Sequence, residues 1–153
     1  MSDICLLIDG AGADDDRQTA LRRLQHKLIM GAHEHGLDVS VPFSSNDGFI
    51  DPENIDYDDV ASKITWNDML IVLFSDRLKA ELFIMLGVGL GSAIPILVLF
   101  EQGEPPAALG QIHSINTRVI PSLDCLSDIR SAVKIALEGI LEMLDKEAGS
   151  GKS

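Results

Sequence analysis

The sequence predicts an α/β fold: a three-layer, doubly wound, five-stranded parallel sheet. Three observations predict it. Apolar runs of strand length alternate with helical patterns along the chain. Two of the runs, Met69 to Phe74 and Ile94 to Phe100, are apolar on both faces, as a parallel sheet with helices on each side requires. The length, 153 residues, is that of one domain with its own core.

Each element has its reason. Ile4 to Ile8 is a buried strand that runs into the glycine turn Asp9-Gly10-Ala11-Gly12. Asp14, Asp15 and Asp16 then suit the positive end of a helix dipole. Leu21, Leu24, Leu28 and Ile29 keep helical spacing through about His35, and Gly36 closes the helix. Leu37 to Phe43 is the second strand, with Val39 and Val41 alternating. Ser44 to Tyr57 is polar, carries Gly48 and Pro52, and is a loop. Asp58 to Trp66 is a short helix with Val60, Ile64 and Trp66 inward. Met69 to Phe74 is the third strand; Ser75-Asp76 cap a helix from Arg77 to about Gly91. Ile94 to Phe100 is the fourth strand, followed by a turn from Glu101 to Glu104. Pro105, favoured in a first turn, opens a short helix through Ile112. Thr117 to Ile120 is the fifth strand. Ser122 or Asp124 caps a last helix to about Leu144, with Ile129, Val133, Ala136, Leu137, Ile140 and Leu144 as its apolar stripe. One domain over residues 1–146 and a flexible tail over 147–153 follow. This layout is flavodoxin-like. Such folds bind ligands beyond the carboxyl ends of the strands, here Asp9 to Ala13, Phe43 to Ser45, Ser75 to Lys79, and Glu101.

Composition narrows the function. Hydrophobic residues are 46% and charged residues 24%, which excludes a disordered body. Twelve basic against 24 acidic residues give a net charge of −12. That charge repels phosphate backbones and anionic bilayers, so neither nucleic acid nor membrane is an expected partner. Leu82 to Phe100 is uncharged and nears membrane-spanning length, but Gly87, Gly89, Gly91, Ser92 and Pro95 divide it into helix, turn and strand. The two cysteines, Cys5 and Cys125, make no disulfide framework and no CxxC metal spacing. Both sit beside apolar residues and read as buried thiols in a reducing compartment, hence a cytoplasmic location.

Few side chains carry a chemical signal. The loop Asp9-Gly10-Ala11-Gly12 lets a ligand approach the backbone closely, without being a dinucleotide fingerprint or a phosphate loop. The terminal Gly151-Lys152-Ser153 lacks the preceding strand and first glycine of a phosphate loop and reads as a solvated tail. Arg77 and Lys79 at a helix start make an anion site, or a solvated surface turn. Glu81 lies one turn further in, beside the apolar part of the same helix. A partly desolvated carboxylate there suits a nucleophile or general base; Arg77, at i−4, is its alternative ion-pair partner. His26, His33, His35 and His113 have no metal-ligand spacing. No metal or cofactor is expected.

The order of elements, from Ile4 to Leu144, resembles the nucleoside 2-deoxyribosyltransferase-like family. The matching segments are Leu7-Ile8-Asp9-Gly10-Ala11-Gly12, Val39-Ser40-Val41-Pro42, Asp58-Asp59-Val60, and Asn67-Asp68 before the strand at Met69. The family signature Glu-Leu-Gly-x-Ala-x-Ala-x-Gly-x-Pro is similar to Met85-Leu86-Gly87-Val88-Gly89-Leu90-Gly91-Ser92-Ala93-Ile94-Pro95. Leu86, Gly87 and Pro95 fall in register; the nucleophile position holds Met85, and Lys79-Ala80-Glu81 replaces the usual Asp-x-Gly-Thr approach. Glu81 lies i−4 from Met85, on the same predicted helix face. Ser75 and Glu81-Leu82 also resemble, more loosely, the pattern of TIR domains, whose helix glutamate is catalytic in the NAD-cleaving members.

The resemblance implies cleavage of an N-glycosidic bond in a nucleoside, nucleotide or NAD, as deoxyribosyl transfer or hydrolysis. Glu81 is then catalytic, while Asp9, Gly10, Gly12, Ser75, Arg77, Lys79 and Met85 contact the substrate. The alternative is a catalytically degenerate nucleotide-binding module that kept the pocket. A third reading, compatible with both, is a homo-oligomeric assembly module. The family commonly oligomerises, and the run Leu82 to Leu90 is apolar all round, with Gly87 and Gly91 permitting close helix packing.

Overall fold

The computed structural model describes residues 2–8, 14–41, 56–74, 87–101, 111–112 and 115–150. Its strands are β1 (Ser2–Ile8), β2 (Leu37–Ser40), β3 (Met69–Phe74), β4 (Ile96–Glu101) and β5 (Ile115–Ile120). Its helices are α1 (Asp15–Glu34), α2 (Tyr57–Thr65), α3 (residues 87–91) and α4 (Leu126–Ser150). The five strands form one sheet in the order β2-β1-β3-β4-β5, every pairing parallel. This is the doubly wound arrangement the alternating pattern predicts.

The period-2 geometry of a strand sorts the apolar side chains into two layers. Ile4, Leu6, Ile8, Ile71, Leu73, Leu97 and Leu99 face α1 and α4. Leu21, Leu24, Leu28 and Ala32 of α1 meet them, as do Ile129, Ala132, Ala136 and Ile140 of α4. Cys5, Leu7, Leu70, Val72, Ile96 and Val98 face the other way, against Val60 and Ile64 of α2 and Val88 and Leu90 of α3. Phe74 and Phe100, register partners in this second layer, stack with centroids 5.2 Å apart and planes 8° from parallel. β3 is therefore buried on both faces along its whole length.

The ends of the elements follow local chemistry. Asp14 caps α1 by accepting the Arg17 N–H at 2.8 Å, and Asp15 and Asp16 occupy the first turn. Gly36, at φ +74°, takes the left-handed position that ends the helix. Asp56 caps α2 in the same manner through the Asp59 N–H, so this helix starts at Tyr57, one residue before the predicted Asp58.

Several predicted boundaries and environments are corrected. β2 ends at Ser40 rather than Phe43; Phe43 lies outside the described residues. β4 begins at Ile96 rather than Ile94, because Pro95 precedes the ladder and offers only its carbonyl, to Leu70 N–H. It also runs on through Glu101, which pairs with Ile120 instead of opening a turn. β5 starts two positions earlier than Thr117, at Ile115. α4 continues to Ser150 instead of ending near Leu144, since Asp145 to Ala148 contains no glycine or proline to stop it. Trp66 is 82% exposed rather than inward: it is the C-cap of α2, and among the described residues Val60 and Ile64 supply that helix's buried face. Cys125 is exposed, unlike Cys5, because the turn into α4 buries Leu123 and leaves the thiol outside. The predicted loop over 44–57 and the helix opened by Pro105 fall almost wholly outside the described residues.

Candidate functional site at the carboxyl edge of the sheet

The strand order reverses beside β1: β2 lies on one side of it and β3 on the other. In open α/β sheets the ligand crevice forms at such a switch point, outside the carboxyl ends of the strands. Ile8 and Leu73 are register partners here, so β1 and β3 end side by side. Asp9 follows Ile8 directly, and Ser75 follows Phe74. The two segments predicted to carry chemistry therefore start from adjacent strand ends. The predicted residues themselves, Asp9, Gly10, Gly12, Ser75, Arg77, Lys79, Glu81 and Met85, all lie outside the described residues.

What is described at this edge is an ion pair that the sequence pattern does not reveal. Arg17, in the first turn of α1, forks onto both carboxylate oxygens of Glu101, the last residue of β4. Glu101 is only 9% exposed, and its Oε1 also accepts the Leu123 N–H at 3.0 Å. A two-pronged guanidinium–carboxylate contact fixes orientation as well as distance. Burial of the Glu101 carboxylate is tolerable because these hydrogen bonds satisfy it; Arg17 itself is half-buried. The one available signal was a lone acid closing the apolar run Ile96-Leu97-Val98-Leu99-Phe100; a charge in that place needs a partner, but nothing local names Arg17.

Beside this pair opens a cleft of about 550 Å³. Asp14, Asp16, Arg17 and Arg23 of the α1 end line one wall, and Asp124 and Cys125 line the other. The lining mixes carboxylates that accept hydrogen bonds with guanidinium groups that donate them. Such a surface suits a polar ligand that bears hydroxyls. The Cys125 sulfur lies 3.0 Å from Ser127 Oγ and 3.2 Å from Asp128 Oδ2. His26, His33 and His35 are exposed on α1, and no cluster of metal-ligating side chains occurs among the described residues. The other thiol is inert by environment: burial pushes Cys5 up from 9.0 to about 12, with Lys63 pulling weakly the other way.

The signature segment is described only from Gly87 onward. Gly87 lies in α3 and Pro95 just before β4. Ala93 takes φ +58° where the family pattern has its last glycine. This residue ends α3: Ala93 N–H donates to Leu90 O, and Ile94 N–H to Gly89 O.

No protein-family model matches the chain, and no curated protein matches its sequence. Solved structures do resemble it. One is the CMP N-glycosidase BcmB of Clostridium botulinum, at 14% identity and TM-score 0.57, covering 86% of this chain and 95% of that one. Another is a de novo designed Rossmann 2x3 fold protein, at 19% identity and TM-score 0.53, covering 94% and 91%. At these identities the likeness is one of fold, and a designed scaffold shares it with an enzyme. Among the described residues no helix is long and apolar enough to cross a membrane.

Proposed function

We propose that the chain acts on the N-glycosidic bond of a nucleoside or nucleotide. The observation that carries this reading is the adjacency of the β1 and β3 carboxyl ends, from which the Asp9–Gly12 and Ser75–Glu81 segments both depart. The fold likeness to a CMP N-glycosidase supports it. In this reading Glu81 supplies the carboxylate that stabilises or traps the sugar cation as the bond from C1′ to the base breaks. Arg77 and Lys79 hold a phosphate, and Asp9, Gly10 and Gly12 face the base or ribose. Transfer to an acceptor base, as in deoxyribosyltransferases, and cleavage of NAD, as in TIR domains, are finer versions of the same chemistry.

Met85 in the nucleophile position of the signature favours a second reading. A thioether cannot attack an anomeric carbon as a carboxylate does, so the alternative is a module, assembled from several copies, that binds nucleotide without turnover. Chromatography decides between the two. The protein is incubated with deoxynucleosides, nucleoside monophosphates and NAD, each with and without an acceptor base. Release of free base or nicotinamide that disappears in Glu81→Gln is the expected result. Wild-type turnover in Glu81→Gln removes the assignment of Glu81. Absence of product from every substrate, with nucleotide binding by calorimetry, selects the binding module.

A further inference from the structure

We propose that Arg17 and Glu101 are positioning residues for a ligand held at the carboxyl edge. Their ion pair ties together the first turn of α1, the last residue of β4 and the turn before α4. The Arg17 fork and the Leu123 N–H converge on one carboxylate, and Asp14 holds the same α1 turn through the Arg17 N–H. Asp14, Asp16 and Arg17 on one wall of the cleft, and Leu123, Asp124 and Cys125 on the other, are thus referred to a single fixed group. Glu101 is buried and does not line the cleft; it acts through Arg17 and Leu123.

Stability alone does not account for this pair. Well-packed apolar residues of similar volume often replace a buried ion pair without loss. Geometry is what the pair adds: a planar fork fixes orientation, where an ammonium fixes only proximity. A displacement of about 1 Å in a group that orients a substrate costs on the order of a hundredfold in rate.

The proposal rests on the reading that this edge binds a nucleotide, and the test separates the two. Wild type, Arg17→Lys, Glu101→Gln and the double variant are compared. Glu101→Gln keeps the shape and an acceptor for Leu123 N–H. The readouts are kcat and KM for base release from nucleoside monophosphates, calorimetric affinity for the same nucleotides, and the melting temperature. We expect each single variant to lose about ten- to a hundredfold in kcat/KM at a temperature where it is fully folded, with Glu101→Gln melting below wild type because Arg17 loses its counter-charge. The double variant loses no more than either single one, because the two residues act as a unit. Wild-type kinetics in both single variants overturn the proposal and leave the glycosidic reading standing. A wild type that binds nucleotide without releasing base, with binding weakened about tenfold in the variants, keeps the positioning role and removes the glycosidic reading. A wild type that binds none of the nucleotides overturns both.

Discussion

Alanine at Gly89 tests how closely α3 presses on the sheet. Gly89 is buried, and a Cβ built there lies 2.9 Å from Leu70 Cδ2 and 3.0 Å from Ile96 Cδ1. Leu70 and Ile96 are register partners with no exposed surface. Neither is free to swing aside, because the interior is packed at close to crystal density. Two terms of opposite sign meet. Alanine gains about 1 kcal/mol over glycine in a helix. Forcing a methyl into a filled core costs about 1–3 kcal/mol. Gly87 supplies the control: it belongs to the same helix, and a Cβ there meets nothing described within 4 Å. Gly87→Ala therefore carries the gain without the clash. The difference between the two variants, about 1–3 kcal/mol, isolates the packing term. Urea unfolding followed by far-ultraviolet circular dichroism measures it, with equal m-values as the condition for comparison. Each kcal/mol also moves Tm by roughly 2–4 °C in a chain of this size. If Gly89→Ala is as stable as Gly87→Ala, the close contact of α3 with Leu70 and Ile96 is refuted.

Two further changes test other local claims. Ala93→Gly relieves a left-handed residue whose cost is about 1–2 kcal/mol. Glycine's greater freedom in the unfolded chain returns about 0.4–1 kcal/mol of that. The variant is thus expected to unfold at higher urea, and a lower midpoint refutes the strain argument. Cys5 predicts an alkaline dependence. Its thiol stays protonated in the fold to about pH 12, against 9.0 when exposed. Between those values the unfolded chain gives up a proton that the folded chain keeps, so this contribution is full at low pH and shrinks as pH rises. The span bounds it at about 4 kcal/mol. Wild type should lose stability more steeply than Cys5→Ala between pH 8 and roughly pH 10.5, and equal slopes refute the assignment. In the native protein, iodoacetamide should label the exposed Cys125 and spare Cys5.

Much of the fold was legible because its signals are local. Met69 to Phe74 is apolar at every position, so it had to be a strand covered on both sides. Asp14 and Gly36 mark the ends of α1 through their own backbone chemistry. Errors arose where an element's end depends on what it touches. Trp66 is apolar and close to Ile64 in sequence, yet it stands two positions on and off the face that Val60 and Ile64 share. Cys125 has leucines on both sides, yet only Leu123 reaches the core.

The sequence by itself determined that five strand-length segments become parallel strands between helices, since period and capping are properties of short segments. It also determined which loops leave the sheet at its carboxyl edge. The flavodoxin-like order it implied, with β1 between β2 and β3, is the one observed; only the tertiary structure gave the register that ends Ile8 beside Leu73. It alone brought Arg17 to Glu101, 84 positions away, and hung Leu123 on the same carboxylate. The reason is physical. A buried charge requires a partner, but which residue serves is settled by the path of the strands and crossovers that bring distant segments together, and no local pattern records that path.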